Sequence, residues 1–465
     1  MAGTEKRGTR SEGRNSAARG RRVAEQAKGP RRPRAEAPRD EAADIGVDAR
    51  QAAGVLLDAA LEGRGGLDAA LSFREVAGLP APDRAFARAV AMAALRRLGE
   101  IDQILDRRLQ KAPPAAVRTI LRIALAQTLV LETPAFAAVS TAVKLAERDP
   151  KTRPYKNLVN AVLRGVGRDG PGLTTAESNL PDWIAARWRA TYGDNALAGL
   201  ALAAREEPPT DLSVKPGLEP AAVAEAVDGE VLPGGAVRTG RRGDIATWPG
   251  FQDGTWWVQD AAAAVPVRLL DPKPGEAIAD LCAAPGGKTL QLAAAGAAVV
   301  ALDRSDKQLN RLRQNLERTG LKAEIVVTPA EDWEDPRTFD AVLLDAPCTA
   351  TGTFRRNPEV LRATRPADVA KLADVQHRLL DAAAGRVKPG GRLVYCVCSL
   401  EPEEGEAQTT AFLLRHREFK LSPVKPGEGG SPWASQLADG TLRLLPHHRP
   451  GGQDGFYVAR FVRSA

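Results

Sequence analysis

The 465-residue chain is poor in the residues that metal centres and disulfide scaffolds require. It holds four cysteines (Cys282, Cys348, Cys396 and Cys398) and four histidines, with no CxxC pair and no zinc-ligand spacing. Nothing in this set supports a disulfide framework in a reducing compartment. No apolar run reaches the ~18–20 residues needed to cross a bilayer. The opening Met1-Ala-Gly-Thr-Glu-Lys-Arg lacks the apolar core of a secretory signal. These absences point to a cytoplasmic protein with no membrane partner and no metal site. Beyond residue 40 there is no excess of either charge: of 65 Lys/Arg and 58 Asp/Glu, twelve and five fall in residues 1–40, leaving 53 of each.

What is present is enough for several domains, at ~150 residues each. Residues 1–44 read as a disordered basic tail, rich in Arg, Gly, Ala and Pro, with too little apolar surface to offset chain entropy. It is either a solvated extension or an arm that contacts nucleic-acid phosphates. Residues 45–170 read as all-α. Val117, Ile120, Leu121, Ala124 and Leu125 recur at helical spacing, as do Ala85-Phe86-Ala89-Val90-Ala93 and Val139-Ala142-Val143-Ala146, with prolines between the segments. Residues 171–270 read as an α+β connector, with a helix opening at Pro181-Asp182-Trp183 and a strand over Asp211–Val214. From 271 to 465, short apolar runs alternate with helical segments. The runs are Ala277–Ala279, Ala298–Leu302, Ile325–Val327, Ala341–Leu344 and Leu393–Val397. Helical spacing of Leu309, Leu312 and Leu316 between Ser305 and Gly320 completes an α/β pattern with a mostly parallel sheet.

In such sheets, ligands bind beyond the carboxyl ends of the strands. The first end carries Asp280-Leu-Cys282-Ala283-Ala284-Pro285-Gly286-Gly287-Lys288-Thr289. As a P-loop it would need glycine where Cys282 stands, and Pro285 removes an amide; GxGxxG is absent. As a loop around a nucleoside cofactor it calls for an acid at the next strand end, and Asp303 is there. The next end carries Asp345-Ala-Pro-Cys348-Thr-Ala-Thr-Gly352, and the last Tyr395-Cys396-Val-Cys398-Ser399. Cys396 lies deeper in its strand and reads as core. Two strand-end cysteines beside a nucleoside cofactor suit methylation at carbon 5 of a pyrimidine. A thiolate adding at C6 makes C5 nucleophilic, and a second thiol can assist proton removal and release. An acid such as Asp345 can bind the ring edge.

These three motifs, with Arg355-Arg356-Asn-Pro358, Pro402-Glu403-Glu404 and Gly452-Gln-Asp454-Gly-Phe-Tyr457, resemble the Nop2/Sun family of S-adenosylmethionine-dependent RNA cytosine-C5 methyltransferases. Within that family the chain looks like its bacterial Sun (RsmB) rRNA enzymes, because the helical region is similar to their NusB-like RNA-binding domain. The resemblance implies a Rossmann-like methyltransferase domain and S-adenosyl-L-methionine as cofactor. It implies 16S (small-subunit) rRNA as partner, and a monomer needing no protein partner. It implies Cys398 as the nucleophile, Cys348 for proton removal and release, and Asp345 between cofactor and base, with Lys288 in reach of the active site. Cys282 through Lys288 would wrap the cofactor, and Asp303 would hold its ribose. Relatives carry an acid where this chain has Thr328-Pro329. Asp332 is the substitute for adenine contact or, equally, a helix-start cap. Val397 stands where relatives have threonine.

An unpaired or flipped cytosine would be the target. Trp256, Trp257 and Phe354 are candidates to stack bases, each with an alternative place in the core, and Arg355 and Arg356 are candidates for phosphate contact. Two other readings remain at this point: a non-catalytic RNA-binding adaptor with a relic cofactor site, and a P-loop NTPase.

Overall fold

The computed structural model describes residues 41–62 and 66–465. Of the basic tail expected over residues 1–44, residues 1–40 lie outside the described residues, while residues 41–44 open the helix Glu41–Leu61 and are not disordered.

Among the described residues, eight α-helices between Glu41 and Asp169 build the N-terminal region. They close over one core that runs from Val47 to Val166. The helix Ala115–Leu129 buries the stripe read from its spacing. In the helix Ala81–Arg96 the buried residues include Ala87, Val90, Ala91 and Ala94, whereas Ala85 and Ala89 of the expected stripe face solvent. Alanine occupies both faces of this helix, so the apolar period did not select one.

A long helix, Asp182–Arg205, breaks at Gly193 and leads into a small antiparallel sheet. That sheet holds β1 (Thr210–Val214), β2 (Gly229–Val231), β3 (Val237–Thr239) and β4 (Trp256–Val258) in the order β2-β3-β1-β4. The following helix, Val265–Leu270, precedes the boundary expected at 271. It already packs with Ile278, Val299 and Val394 in the core of the next region.

The larger sheet has eight strands: β5 (Ala277–Leu281), β6 (Ala298–Asp303), β7 (Glu324–Val327), β8 (Phe339–Asp345), β9 (Val387–Val397), β10 (Phe419–Leu421), β11 (Leu442–Leu444) and β12 (Phe456–Arg463). Their order is β10-β12-β9-β8-β5-β6-β7, with β11 on β12. The five strands β5–β9 pair in parallel, and β12 closes antiparallel onto β9. Both faces of the sheet are covered, which is why its central strands are continuous apolar runs. Between β6 and β7 the helix Asp306–Thr319 starts with Ser305 accepting the Gln308 N–H and ends at Gly320 in the left-handed region. Among the described residues no helix is long and apolar enough to cross a membrane. No group of three or more His, Cys, Asp or Glu there could hold a metal ion.

Candidate active site

The carboxyl ends of β5, β6, β8 and β9 lie side by side, so everything that follows them meets on one edge of the sheet. After β5 the chain turns at Cys282, whose φ is +62°. The Ala283 N–H donates to Leu302 O at 2.9 Å, and the Ala284 N–H to Asp303 Oδ2 at 3.2 Å. The Ser305 N–H donates to Asp303 Oδ1 at 2.9 Å. Asp303 is thus buried and fixed through both oxygens, and each oxygen keeps lone-pair capacity for a ribose hydroxyl. Gly286 has φ +108° and starts the helix Gly287–Ala294; a Cβ there would lie 2.5 Å from Leu312 Cδ1, so only glycine fits. Burial and neighbouring carboxylates push the Cys282 thiol far above its ordinary range, so this side chain stays a thiol and the loop's contribution comes from its backbone.

Asp280 is buried at the end of β5. Its Oδ2 accepts the Thr289 hydroxyl at 2.6 Å, while Oδ1 has no hydrogen-bond partner. Burial pushes this carboxyl up to about 7, with Asp345 adding to the effect and Thr289 opposing it. An orphaned carboxylate oxygen beside the Ala283–Lys288 loop, together with the hydroxyl-accepting Asp303, fits a nucleoside cofactor that also carries a cationic amine.

The helix Gly287–Ala294 turns Lys288 inward, and its Nζ lies 2.6 Å from Asp345 Oδ2 and 5.1 Å from the Phe456 ring centre. Burial works against the Lys288 charge, yet Asp345 holds the ammonium above its ordinary value. Asp345 ends β8 directly opposite Cys396 of β9, whose Sγ is 3.4 Å from Asp345 Oδ1. Cys396 is fully buried, and burial keeps it a thiol.

Because β8 and β9 are parallel neighbours in register, the residues just past their ends also meet. Cys348 Sγ and Cys398 Sγ are 3.5 Å apart. The contact with Cys398, followed by burial, holds the Cys348 thiol well above its ordinary range. Cys348 is therefore held as a thiol, and either sulfur can donate in the contact between them. Behind the two thiols the loop carrying Cys348 crosses the start of β12: the Gly352 N–H donates to Cys398 O at 3.0 Å and the Gly455 N–H to Gly352 O at 2.8 Å. A Cβ on Gly352 would come within 2.1 Å of Gly455 O, so this crossing also requires glycine.

A cavity of about 740 Å³ opens onto Cys398, Lys288 and Asp345 and is bordered by Arg356 and Trp257. Arg356 is half exposed and donates through Nε and Nη2 to Asp454 Oδ2. Asp454 itself is fully buried, and burial pushes its carboxyl up to about 6 against the pull of Arg356.

Three of the expected RNA contacts are corrected by the structure. Trp256 is fully buried against Trp248 and Phe251, and Phe354 is fully buried against Trp188 with ring centres 5.5 Å apart. Neither ring can stack a base. Arg355 is buried, donates to Gly451 O at 2.9 Å, and presents its carbonyl to Arg96, so it is no phosphate contact. Trp257 is buried, its Nε1 donates to Gln259 Oε1 at 2.9 Å, and it borders the cavity. Asp332 sits exposed in the turn Ala330–Asp332 past β7, makes no side-chain hydrogen bond among the described residues, and lies off the cavity. It is not a helix-start cap.

Sequence reasoning missed Asp280, Asp454 and Glu404 as members of this site. The first stands at the head of the loop motif, but only its orphaned oxygen shows its use. Asp454 reaches the site from just ahead of β12, and Glu404 from the turn six residues past Cys398.

A doubly wound sheet with a cofactor loop after its first strand, an acid ending the second and two thiols at the next strand ends defines the chain as an S-adenosylmethionine-dependent methyltransferase. The family model for 16S rRNA methyltransferase RsmB/F matches residues 267–462, and that of the NusB family matches residues 48–168. Ribosomal RNA small subunit methyltransferase B of Pseudomonas syringae pv. tomato is 33% identical over 454 residues, covering 90% of this chain and 98% of that protein. The probable ribosomal RNA small subunit methyltransferase B of Synechocystis is 34% identical over 427 residues, covering 83% and 92%. The crystal structure of PH0851 superposes with a TM-score of 0.70 at 26% identity, covering 90% of this chain and 98% of that one. The chain belongs to the ribosomal RNA small subunit methyltransferase B (RsmB) family, with S-adenosyl-L-methionine as its methyl donor.

Proposed function

We propose that this protein methylates carbon 5 of a cytosine in 16S rRNA through a covalent bond between Cys398 and C6 of the base, acting as a cytoplasmic monomer. The observation that carries this reading is the pair of thiols 3.5 Å apart beside the Lys288–Asp345 ion pair. When bound, the donor supplies an electrophilic methyl group on a sulfonium. The chain's own groups prepare the base to receive it. Cys398 sulfur bonds to C6, and the C5=C6 electron pair becomes available at C5. Asp345, held by Lys288, accepts a hydrogen bond from the amine at the ring edge, and the Lys288 ammonium beside it steadies the negative charge that addition puts on the ring. Release requires that the C5 proton leave, the C5=C6 bond re-form and the Cys398–C6 bond break, returning the electron pair to sulfur.

Cys348 suits that last step. The largest influence raising its pKa is the contact with Cys398. Once Cys398 sulfur is bonded to carbon that contact is lost, though burial still favours the Cys348 thiol, so Cys348 passes its proton to solvent and, as thiolate, takes the proton from C5 as the Cys398–C6 bond breaks. Labelled donor, purified 16S rRNA and nucleoside mass spectrometry test the proposal. Methyl on any position other than C5 of cytosine overturns it.

Arg356 faces the cavity with part of its guanidinium free, positioned by Asp454, and is assigned to an RNA phosphate. Arg356→Ala is expected to weaken rRNA binding and to lower the slope of log affinity against log salt by about 1. Binding titrations at four salt concentrations give the slope; an unchanged slope removes the assignment.

Among the carboxylates around the donor's place, with Asp303 and Asp345 nearby and Lys288 the adjacent cation, Asp280 is the one without a partner for one oxygen. Only its ionised form attracts a cationic amine, and burial keeps it protonated below a pH of about 7. Donor affinity measured by calorimetry should therefore fall as pH drops through 7, by up to about tenfold per unit. Asp280→Asn should bind the donor weakly with a flatter profile. A pH-independent affinity in the unsubstituted protein would discard this role for Asp280.

A further inference from the structure

Glu404 lies six residues past Cys398, on the turn Pro402–Glu404, and is fully buried. A buried carboxylate ordinarily has a cationic partner, but the hydrogen bonds of this one all come from neutral groups. Oε1 accepts the Thr349 N–H at 2.9 Å and Gln376 Nε2 at 3.0 Å, and Oε2 accepts the hydroxyls of Thr349 and Ser399. Burial pushes the carboxyl above its ordinary range while these four donors pull it back.

The identity of the donors gives the arrangement its meaning. Thr349 directly follows Cys348, and Ser399 directly follows Cys398. Gln376 also donates to Pro347 O at 2.9 Å, on the other side of Cys348. The backbone of Glu404 is tied to β9 as well, because Tyr395 Oη donates to Glu404 O at 2.5 Å. One carboxylate therefore grips the chain on both sides of one thiol and immediately after the other.

We infer that Glu404 is the positioning residue that sets the separation of the Cys348 and Cys398 thiols. It touches neither thiol and acts through Thr349, Ser399 and Gln376. The spacing itself stands apart from the proposed cytosine chemistry; only the kinetic consequence rests on that reading. Glutamine at 404 keeps the size but leaves one acceptor oxygen for four donors and adds a donor of its own. The hydroxyls can rotate, but the Thr349 N–H cannot, so the loop after Cys348 must shift or leave buried donors unmet.

The test uses the full chain and phenylarsine oxide, a trivalent arsenical that condenses with two thiols, forming two As–S bonds and releasing one water. Capture needs both sulfurs close together and needs neither RNA nor methyl donor. The unsubstituted protein is expected to capture the arsenical, and Cys348→Ala and Cys398→Ala each to lose it. Glu404→Gln should bind it at least tenfold more weakly, with donor binding kept and the thermal midpoint lowered by only a few degrees, and its kcat should fall by about 10²-fold at unchanged KM for rRNA. If Glu404→Gln does not fold, Thr349→Val is read instead, and a smaller loss of capture is expected because one donor is removed and the carboxylate remains. Arsenical affinity equal to that of the unsubstituted protein in either folded variant overturns the inference. A product methylated elsewhere than cytosine C5, with the capture result intact, would overturn the reaction assignment and leave the positioning role standing.

Discussion

Cys398→Ala should abolish methyl transfer to 16S rRNA, by on the order of 10⁴-fold or more, while leaving donor binding intact. The size of the effect follows from the chemistry assigned to the thiol. Without a sulfur to add at C6, C5 has no activated electron pair, and the other thiols are ill placed to take over: Cys396 is fully buried and held against Asp345, Cys282 is kept a thiol in the cofactor loop, and Cys348 is raised by burial and does not border the cavity. Removing a covalent nucleophile in other enzymes produces losses of this order because the groups of a catalytic centre act as a unit. The substitution removes only a half-buried side chain, so the fold should tolerate it. Incorporation of label from the methyl donor measures the loss. Retention of full activity would show that another group attacks the base.

Cys348→Ala should behave differently and leave a mark on the gel. Addition of Cys398 to C6 does not need Cys348, but departure of the C5 proton does, so protein and RNA should remain joined. A slow-migrating band that resists heating in detergent, contains both protein and rRNA, and disappears in the double variant Cys348→Ala/Cys398→Ala is the expected result. Turnover should fall to a single event per chain. A Cys348→Ala variant that turns over freely without the band would remove Cys348 from the release step. The two variants thus separate bond making from bond breaking at thiols only 3.5 Å apart.

Much of the α/β region was legible from residue order alone. The five apolar runs became β5–β9 because strands covered on both faces must be apolar throughout, and Ser305 and Gly320 bounded their helix because each satisfies backbone groups that the helix leaves open. The thiols could be placed together because parallel strands in register carry their ends to the same edge. Other features depend on contacts that no local pattern encodes. Arg355 and Arg356 are adjacent and chemically alike, yet one is drawn inward by Gly451 and Arg96 while the other meets Asp454 at the cavity. Trp256 and Trp257 alternate across β4, and the alternation could not show that both sides of that short strand are covered. Glu404 was visible within a family-like motif, but its importance lies in Thr349 and Gln376, 55 and 28 residues away.

The place of β12 in the sheet has a consequence for when the enzyme can first work. This strand follows the other strands of its sheet in sequence, yet it lies between β9 and β10, and its approach at Gly455 locks against Gly352 beside the two thiols. A growing chain that has not yet reached residues 456–463 lacks this strand, so the centre is completed only after that late segment docks on β9. A chain cut before Gly455 would keep both thiols, Lys288 and Asp345, yet lose the contact that backs the loop carrying Cys348.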